Sequence, residues 1–286
     1  MRRLLLGLTG FWSGRLVVLS VLIIAVIPLA AQPVVVIAHR GNHERAYENT
    51  LEAIRDAARV GTDYVELDVR RTRDGFHVLM HDRTVDRTTS GKGEIGQLTL
   101  EQVRGLVVRE VGREGVSDSR VPTFEEALDA MGPRLGVYLD FKDGDPAYLA
   151  AELGRRGLLA RTVVYLDLLD IPAWREVAPG LRLILSLPED CRNADGVREF
   201  LGRHPRVILD GPVKVYTDEM VRVAHELGSL VWPDIQNPEE GPGQWALALG
   251  LGVDGLQTDH PSRLVEYLRG QGRRAAAGAV SAEADH

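Results

Sequence analysis

The chain has 286 residues, of which 44% are hydrophobic and 26% are charged, and this composition excludes a disordered, collagen-like or multi-span membrane protein. The formal net charge of −7, without any long block of lysine or arginine, argues against nucleic-acid binding. The single cysteine, Cys191, excludes an internal disulfide and a thiolate zinc site, so any metal ion would have oxygen or imidazole ligands.

The N-terminal segment, residues 1–32, has the pattern of a targeting signal. Arg2, Arg3 and Arg15 precede an apolar run over residues 16–31. The run is longer than a typical signal-peptide core of about 7–15 residues and shorter than a membrane span of about 20. The sequence therefore leaves a cleaved signal peptide and an uncleaved membrane anchor open. The arginines predict that the rest of the chain is extracytoplasmic, periplasmic or secreted, with membrane association through residues 16–31 if the anchor is retained.

From residue 33 to 270, short β-branched runs alternate with longer segments of helical period, which is typical of one domain built from βα units. Eight runs are predicted as strands: 34–38, 64–70, 135–142, 162–167, 181–187, 206–210, 230–235 and 255–258. Eight such units in a domain of this length predict an α/β fold of the (β/α)8 TIM-barrel type.

Two helix starts have the spacing of a capping box, in which a cap side chain and a glutamate three residues later bond to each other's backbone. The pairs are Asn49 with Glu52 and Thr123 with Glu126. Both are expected to begin helices.

Three segments break the βα rhythm. Residues 76–80 follow the second strand too closely for a parallel crossover, so we predict a β-hairpin that turns at Asp74 and Gly75. Residues of about 83–119 are glycine-rich and are predicted to form a small insertion on the barrel with one capped helix. Residues 271–286 have no apolar period and are predicted to form a disordered tail.

Charged side chains gather on single faces of two predicted strands. Because side chains alternate along a strand, Glu66 and Asp68 share one face, as do Asp140 and Lys142. Burying unpaired carboxylates would cost several kcal/mol each, and barrel active sites lie at these strand ends. Salt bridges to Arg70 or Arg71 are the structural alternative for Glu66 and Asp68 taken alone, and a solvated side-chain tip is the alternative for Lys142. The convergence of separate strands favours a divalent hard cation held by Glu66, Asp68 and Asp140.

These residues form part of an ordered series of short motifs. The series comprises His39-Arg40-Gly41, Glu48-Asn49-Thr50, Glu66-Leu67-Asp68, His81-Asp82, Asp140-Phe141-Lys142, Trp232 and residues 254–259. It resembles the motif set of the glycerophosphodiester phosphodiesterase family and spans nearly all of residues 34–268. Each motif alone is weak, but their order and spacing together are specific.

The resemblance implies a (β/α)8 barrel with a small insertion after the hairpin. It also implies a divalent cation, usually Ca²⁺ or Mg²⁺, and hydrolysis of a small-molecule glycerophosphodiester to sn-glycerol 3-phosphate and an alcohol. In this family the attacking group is thought to be the glycerol 2-hydroxyl, which gives a cyclic phosphate that water then opens.

By position, the resemblance implies that His39 and His81 are the paired acid/base residues. It implies that Arg40 and Lys142 bind the phosphate and that Trp232 forms a wall for the glycerol moiety. The sequence does not distinguish the acid from the base.

The resemblance also implies that Glu66 and Asp68 are the first two metal ligands. The third ligand in the family pattern is usually glutamate, and the shorter Asp140 stands in its place. The stretch after Trp232 also departs from the family pattern and introduces Asp234.

Two other functions compete with this hypothesis. The first is a related barrel phospholipase that acts on lysophospholipids or inositol phospholipids. The second is a non-catalytic barrel that binds a phosphate or a polyol. The presence of both His39 and His81 argues against the second, because binding a phosphodiester requires cations and not a pair of proton carriers.

Overall fold

The computed structural model describes residues 32–109 and 119–274. The apolar run at residues 16–31 and, apart from residues 271–274, the predicted tail lie outside the described residues. In the described part of the chain, no helix is both long enough and apolar enough to cross a membrane.

Eight parallel strands form the barrel, and one further strand forms a hairpin. The strands are β1 Val35–Ala38, β2 Tyr64–Arg71, β3 His77–Leu79, β4 Gly136–Phe141, β5 Thr162–Tyr165, β6 Arg182–Ser186, β7 Ile208–Asp210, β8 Leu230–Val231 and β9 Gly255–Thr258. Their order in the sheet is β8-β7-β6-β5-β4-β2-β1-β9. The backbone N–H of Ile235 donates to the carbonyl of Gln257 at 3.1 Å, which joins the two outer strands of this order. The predicted (β/α)8 barrel is therefore confirmed.

Helices follow most strands and cover the outside of the barrel. They are α1 Leu51–Val60, α2 Leu100–Arg104, α3 Phe124–Ala130, α4 Pro146–Arg155, α5 Ile171–Val177, α6 Ala194–Arg203, α7 Asp218–Glu226, α8 Pro242–Gly250 and α9 Pro261–Gly270. The predicted capping box of Thr123 and Glu126 is confirmed at the start of α3. The predicted box of Asn49 and Glu52 is wrong, because Thr50 caps α1 by accepting a hydrogen bond from the Ala53 N–H.

The strands bury apolar side chains on both faces. Alternate residues such as Leu67 and Leu139 pack outward against the helices in the largest apolar cluster. A second cluster fills the interior of the barrel and contains Ile37, Tyr138, Val163, Ile184, Ile208 and Trp232. The same alternation turns Glu66, Asp68 and Asp140 toward the interior, and Glu66 and Asp68 share one face as predicted.

The predicted hairpin is confirmed: β3 pairs antiparallel with β2, with Val69 opposite Leu79. Gly75 lies in the turn at φ 93°, a conformation that favours glycine. The segment after β3 contains α2 and packs its apolar side chains in a separate small cluster. That cluster contains Tyr47, Val78, Met80, Val85, Ile95, Val103, Val108 and Val121.

Candidate active site

Three carboxylates meet at the C-terminal ends of β2 and β4. One oxygen from each of Glu66, Asp68 and Asp140 lies within 4.8 Å of the others. Asp68 and Asp140 are direct neighbours across the two strands. Oδ1 of Asp140 is buried and has no hydrogen-bond partner among the described residues. Three hard oxygen donors, one of them unpartnered, fit a cation of the Ca²⁺ or Mg²⁺ type.

Two cations border this carboxylate group. Nζ of Lys142 lies 2.6 Å from Oδ2 of Asp140 and 3.2 Å from Oδ1 of Asp68. Nε of Arg40 lies 3.5 Å from Oδ2 of Asp68. Three carboxylates therefore face two permanent cations, and a divalent cation would more than cancel the remaining negative charge.

The pKa values of the three carboxyl groups differ because their neighbours differ. Burial raises the pKa of Glu66 well above its usual range and raises the pKa of Asp140 to about 7. Burial opposes ionisation of Asp68 as well, but Lys142 and Arg40 hold its pKa below the ordinary value.

Asn49 orients the central carboxylate. Its Nδ2 donates to Oδ2 of Asp68 at 2.7 Å, and its Oδ1 accepts from the Asp68 backbone N–H at 3.3 Å. Asn49 and Arg40 both have positive φ, 55° and 52°, and the Asn49 N–H donates to the Arg40 carbonyl at 2.9 Å. The Arg40 N–H in turn donates to Oε2 of Glu66 at 2.5 Å. The sequence predicted Asn49 only as a helix cap and missed this role.

The close turn after β1 requires a glycine. Gly41 has φ 85°, and a Cβ atom there would lie 2.7 Å from Cβ of Ala53. Only glycine lets this turn pack against α1 while the Arg40 N–H faces Glu66.

The two predicted catalytic histidines are held in the same way. Nδ1 of His39 lies 2.6 Å from Oδ1 of Asp259, and Nδ1 of His81 lies 2.7 Å from Oδ1 of Asp82. Burial lowers the pKa of His39 despite its carboxylate partner. Nε2 of each ring makes no hydrogen bond within residues 32–109 and 119–274. Both rings also lie close enough to Asp68 to interact with its charge.

A chain of ion pairs connects His81 to Arg40. Arg87 bonds Asp82 through Nε at 2.7 Å and bonds Glu48 through Nη1 at 2.8 Å. Glu48 also accepts from Nη1 of Arg40 at 3.0 Å. The hydrogen bond from Arg87 lowers the pKa of Asp82. The insertion that contributes Arg87 is therefore tied to the strand end that carries His39 and Arg40.

Seven of the eight predicted site residues come together, and Trp232 does not join them. The residue is 3% exposed, and the centroid of its ring lies 5.1 Å from that of Tyr64. A Cβ atom at Gly255 would lie 2.8 Å from this indole. Trp232 thus fills the apolar interior of the barrel.

A second acidic pair lies where β7 and β8 end: Asp210 is the last residue of β7, and Asp234 follows β8. The sequence singled out Asp234 without explaining it, and Asp210 was missed. Burial, with the nearby charge of Asp234, raises the pKa of Asp210 to about 8. Burial also raises the pKa of Asp234 to about 6. Oδ1 of Asp210 has no hydrogen-bond partner among the described residues. An aspartate that ends a predicted strand was the available signal for Asp210.

Comparisons with known proteins show which family this chain resembles. Residues 39–167 match the Glycerophosphoryl diester phosphodiesterase family. A glycerophosphodiester phosphodiesterase of Caldanaerobacter subterraneus is 30% identical over 82% of this chain and 97% of its own length. Glycerophosphodiester phosphodiesterase 1 of mouse is 49% identical, but the match covers 37% of this chain and only 33% of that protein.

Solved structures share the fold. A glycerophosphoryl diester phosphodiesterase of Silicibacter pomeroyi has a TM-score of 0.74 at 24% identity, covering 84% of this chain and 95% of that one. A phosphodiesterase of Oleispira antarctica, solved in complex with the product sn-glycerol-3-phosphate, has a TM-score of 0.66 at 22% identity, covering 82% and 96%. Given the near full-length match to the Caldanaerobacter relative, this chain belongs to the glycerophosphodiester phosphodiesterase family.

Proposed function

We propose that this protein hydrolyses glycerophosphodiesters to sn-glycerol 3-phosphate and an alcohol by metal-dependent acid/base catalysis. The observation that carries the proposal is the pair of histidines, His39 and His81, each held by a carboxylate beside the buried acidic group. The names of the relatives and the product-bound structure of the Oleispira protein support the same reaction.

The three clustered carboxylates and the two cationic side chains beside them suit the binding of a phosphodiester. A divalent cation held by Glu66, Asp68 and Asp140 would stabilise the negative charge that builds on the phosphoryl oxygens. Arg40 and Lys142 would bind the same oxygens and position the phosphorus atom. Asn49 donates to Asp68 and would keep this ligand in a fixed orientation when a cation binds.

The histidines divide the proton transfers. The lowered pKa of His39 keeps the ring neutral near pH 7, so its Nε2 accepts the proton of the attacking hydroxyl. His81 then donates a proton to the oxygen of the leaving alcohol, and the glycerol 2-hydroxyl that attacked remains bonded to phosphorus as a cyclic phosphate. In the second step His81 takes a proton from water, which attacks phosphorus, and His39 returns its proton to the glycerol 2-oxygen as that P–O bond breaks. The product is sn-glycerol 3-phosphate, and both rings regain their starting protonation states. Asp259 and Asp82 accept the Nδ1 protons and fix both rings in one tautomer.

The first experiment measures release of sn-glycerol 3-phosphate from glycerophosphocholine and glycerophosphoethanolamine. We expect His39→Asn and His81→Asn each to lower turnover by about 10²- to 10⁴-fold. The matched control is His225→Asn, because His225 also pairs with an aspartate, Asp254 at 2.9 Å, but lies on α7. A folded protein that cleaves neither diester would refute the proposal. Turnover of lysophospholipids or inositol phospholipids instead would identify the related phospholipase activity, and binding without turnover would identify a binding protein.

The second experiment tests the cation. We expect chelator to abolish turnover and Ca²⁺ or Mg²⁺ to restore it. Asp140→Asn is expected to raise the concentration of cation needed for half-maximal activity. Full activity in excess chelator would refute metal dependence.

We also propose an extracytoplasmic location for the barrel. Support comes from Arg2, Arg3 and Arg15 before the apolar run at residues 16–31. External protease should digest the chain in intact spheroplasts. Protection until the inner membrane is disrupted would contradict the proposal.

A further inference from the structure

A large cavity lies at the end of the barrel opposite the carboxylate group. Its lining includes Val35, Tyr64 and Gly136, which are the first residues of β1, β2 and β4. Its volume is about 800 Å³. Six arginines line it: Arg59, Arg134, Arg161, Arg269, Arg273 and Arg274.

The positive charge of this cavity is not balanced. Asp63 is the one carboxylate among its described lining residues, and Arg274 pairs with it, Nη2 to Oδ1 at 3.0 Å. Arg59 pairs with Asp56 outside the cavity. The other four arginines make no ion pair within the described part of the chain: Arg134, Arg161, Arg269 and Arg273. Nε of Arg269 is buried and has no hydrogen-bond partner there.

A second cavity on the same end of the barrel repeats this composition. It has a volume of about 550 Å³ and lies at the starts of β6 and β7. Among the residues that the structure describes, no carboxylate lines it. Its arginines are Arg175, Arg182, Arg203 and Arg206.

Helix capping accounts for part of this basic face, here defined as the linings of the two cavities. Arg59 and Arg269 occupy the last turns of α1 and α9, where cations interact favourably with the helix dipole. Arg134 is not in a helix, and it has no hydrogen bond or ion pair to any described residue. The two linings together contain ten arginines and one carboxylate. The whole chain carries a net charge of −7, so its overall composition does not explain this local excess of positive charge.

We propose that the basic face binds the phosphate groups of anionic phospholipid headgroups. Guanidinium groups bind phosphate oxygens in pairs, and a cavity of about 800 Å³ has room for a headgroup. Pro33 lines the larger cavity and stands two residues after Ala31, the end of the apolar run. Two residues span about 7 Å at most. Along the chain, the basic face therefore begins within two residues of the apolar run, and its positive charge is complementary to an anionic headgroup.

This site is independent of the proposed reaction, because none of its residues belongs to the carboxylate group or its histidines. The arginines would recognise a phosphate group, and this group can belong to a lipid headgroup or to free inorganic phosphate. The two sources are separated by testing vesicles and inorganic phosphate in parallel.

The test measures sedimentation of the full chain with phosphatidylcholine vesicles, with and without phosphatidylglycerol. The apolar run contributes equally to both vesicle types, so the ratio of the two partition coefficients isolates the headgroup contribution. We expect the ratio to exceed one and to fall with added salt. Arg134→Glu should lower it about fivefold or more, since each basic residue at an anionic surface contributes about 1 kcal/mol. The matched control, Arg198→Glu on exposed α6 surface, should leave the ratio unchanged.

The parallel arm follows thermal unfolding with inorganic phosphate and no vesicles. In one outcome, inorganic phosphate stabilises the protein, Arg134→Glu abolishes this stabilisation, and the protein shows no preference for anionic vesicles. That outcome would assign the cavity to free phosphate and overturn the proposal that it binds a lipid headgroup. Equal partition into both vesicle types together with phosphate stabilisation unaffected by Arg134→Glu would overturn the site itself. Because Arg134 is exposed and unpaired with described residues, its substitution is expected to preserve the fold and turnover of soluble diesters.

Discussion

Asn49 combines two properties that the sequence alone does not reveal together. Its backbone has φ 55°, which asparagine tolerates better than most residues, and its amide contacts Asp68 through both its nitrogen and its oxygen. The sequence favoured it as a helix cap because asparagine and glutamate three residues apart fit that pattern. Thr50 takes the cap instead, and this frees the Asn49 side chain for the carboxylate.

We predict that Asn49→Ala lowers the affinity for Ca²⁺ or Mg²⁺ by about 10- to 100-fold, because residues that orient a metal ligand typically contribute this much. Calorimetric titration of the folded protein measures the affinity. The control is Asn193→Ala, which removes the cap of α6, where Asn193 Oδ1 accepts from the Gly196 N–H at 2.9 Å. That variant should lose about 1 kcal/mol of stability and keep the cation affinity. Equal affinities in Asn49→Ala and wild type would contradict the orienting role.

Asp210 gives a pH-dependent prediction. Burial and the charges of Asp234 and Asp140 raise its pKa to about 8 in the folded protein, whereas an unfolded aspartate has a pKa of about 3.9. The stability that the protonated form provides is therefore complete below about pH 4 and is lost as the pH rises through about 8. Asp210→Asn, which cannot ionise, should gain stability relative to wild type, and the gain should increase from pH 5 to pH 8 by up to a few kcal/mol.

Urea unfolding in chelator at several pH values measures this gain. Chelator is included because a cation near Asp140 would change the electrostatic field at Asp210. Asp195→Asn replaces an exposed carboxylate on α6 and serves as the control. A gain from Asp210→Asn that stays constant with pH would show that Asp210 is ionised in the folded protein.

At the level of elements, strand positions followed from the sequence while strand lengths did not. The eight barrel strands and the hairpin occur where alternation and β-branched runs predicted them. The segment predicted as a strand over residues 230–235 is paired in β8 only at Leu230 and Val231. Pro233 has no N–H to donate, so the regular ladder ends before it. Pairing across the segment then continues through single contacts such as that of Ile235 with Gln257.

The insertion supplies a further prediction at this scale. Arg87 holds Asp82, the partner of His81, against Glu48, so Arg87→Gln should loosen the His81 ring without removing it. We expect turnover to fall by about 10-fold or more, because catalytic groups tolerate little displacement, while cation affinity stays unchanged. The control is Arg83→Gln in the same insertion, whose ion pair with Glu94 at 3.0 Å is exposed. Comparable losses from both substitutions would attribute the effect to the insertion as a whole.

At the level of the whole molecule, the grouping of the site depended on closing the barrel. The order of strands brought His39, Asp68 and Asp140 together, because parallel strands deliver their C-terminal ends to one rim. The alternation of residues along the strands could not predict the position of Trp232. Its depth inside the barrel depends on the strand register and on the space that Gly255 leaves for its ring. The sequence pattern could not reveal the basic face either, because those arginines come from loops, helix ends and the start of β6, scattered along the sequence.

The carboxylate group should also couple cation binding to the stability of the whole barrel. Asp68 and Asp140 lie on strands separated by about 70 residues of sequence, so the unfolded chain does not hold them together. A cation that binds only the folded state at 100 times its Kd adds about 2.7 kcal/mol to the free energy of unfolding. For a domain of this size, that corresponds to a rise in Tm of about 5–10 °C.

Differential scanning calorimetry with saturating Ca²⁺ or Mg²⁺, and with chelator, measures this rise. Asp68→Asn should abolish the rise whether its own Tm lies above or below that of wild type, since it removes the central ligand and leaves Asn49 and Lys142 facing an amide. Asp195→Asn should retain the full rise. If Asp68→Asn is stabilised by the cation as much as wild type, the cation binds elsewhere on the barrel. Cation binding would then no longer explain why β2 and β4 bury three carboxylates with oxygens within 4.8 Å of one another.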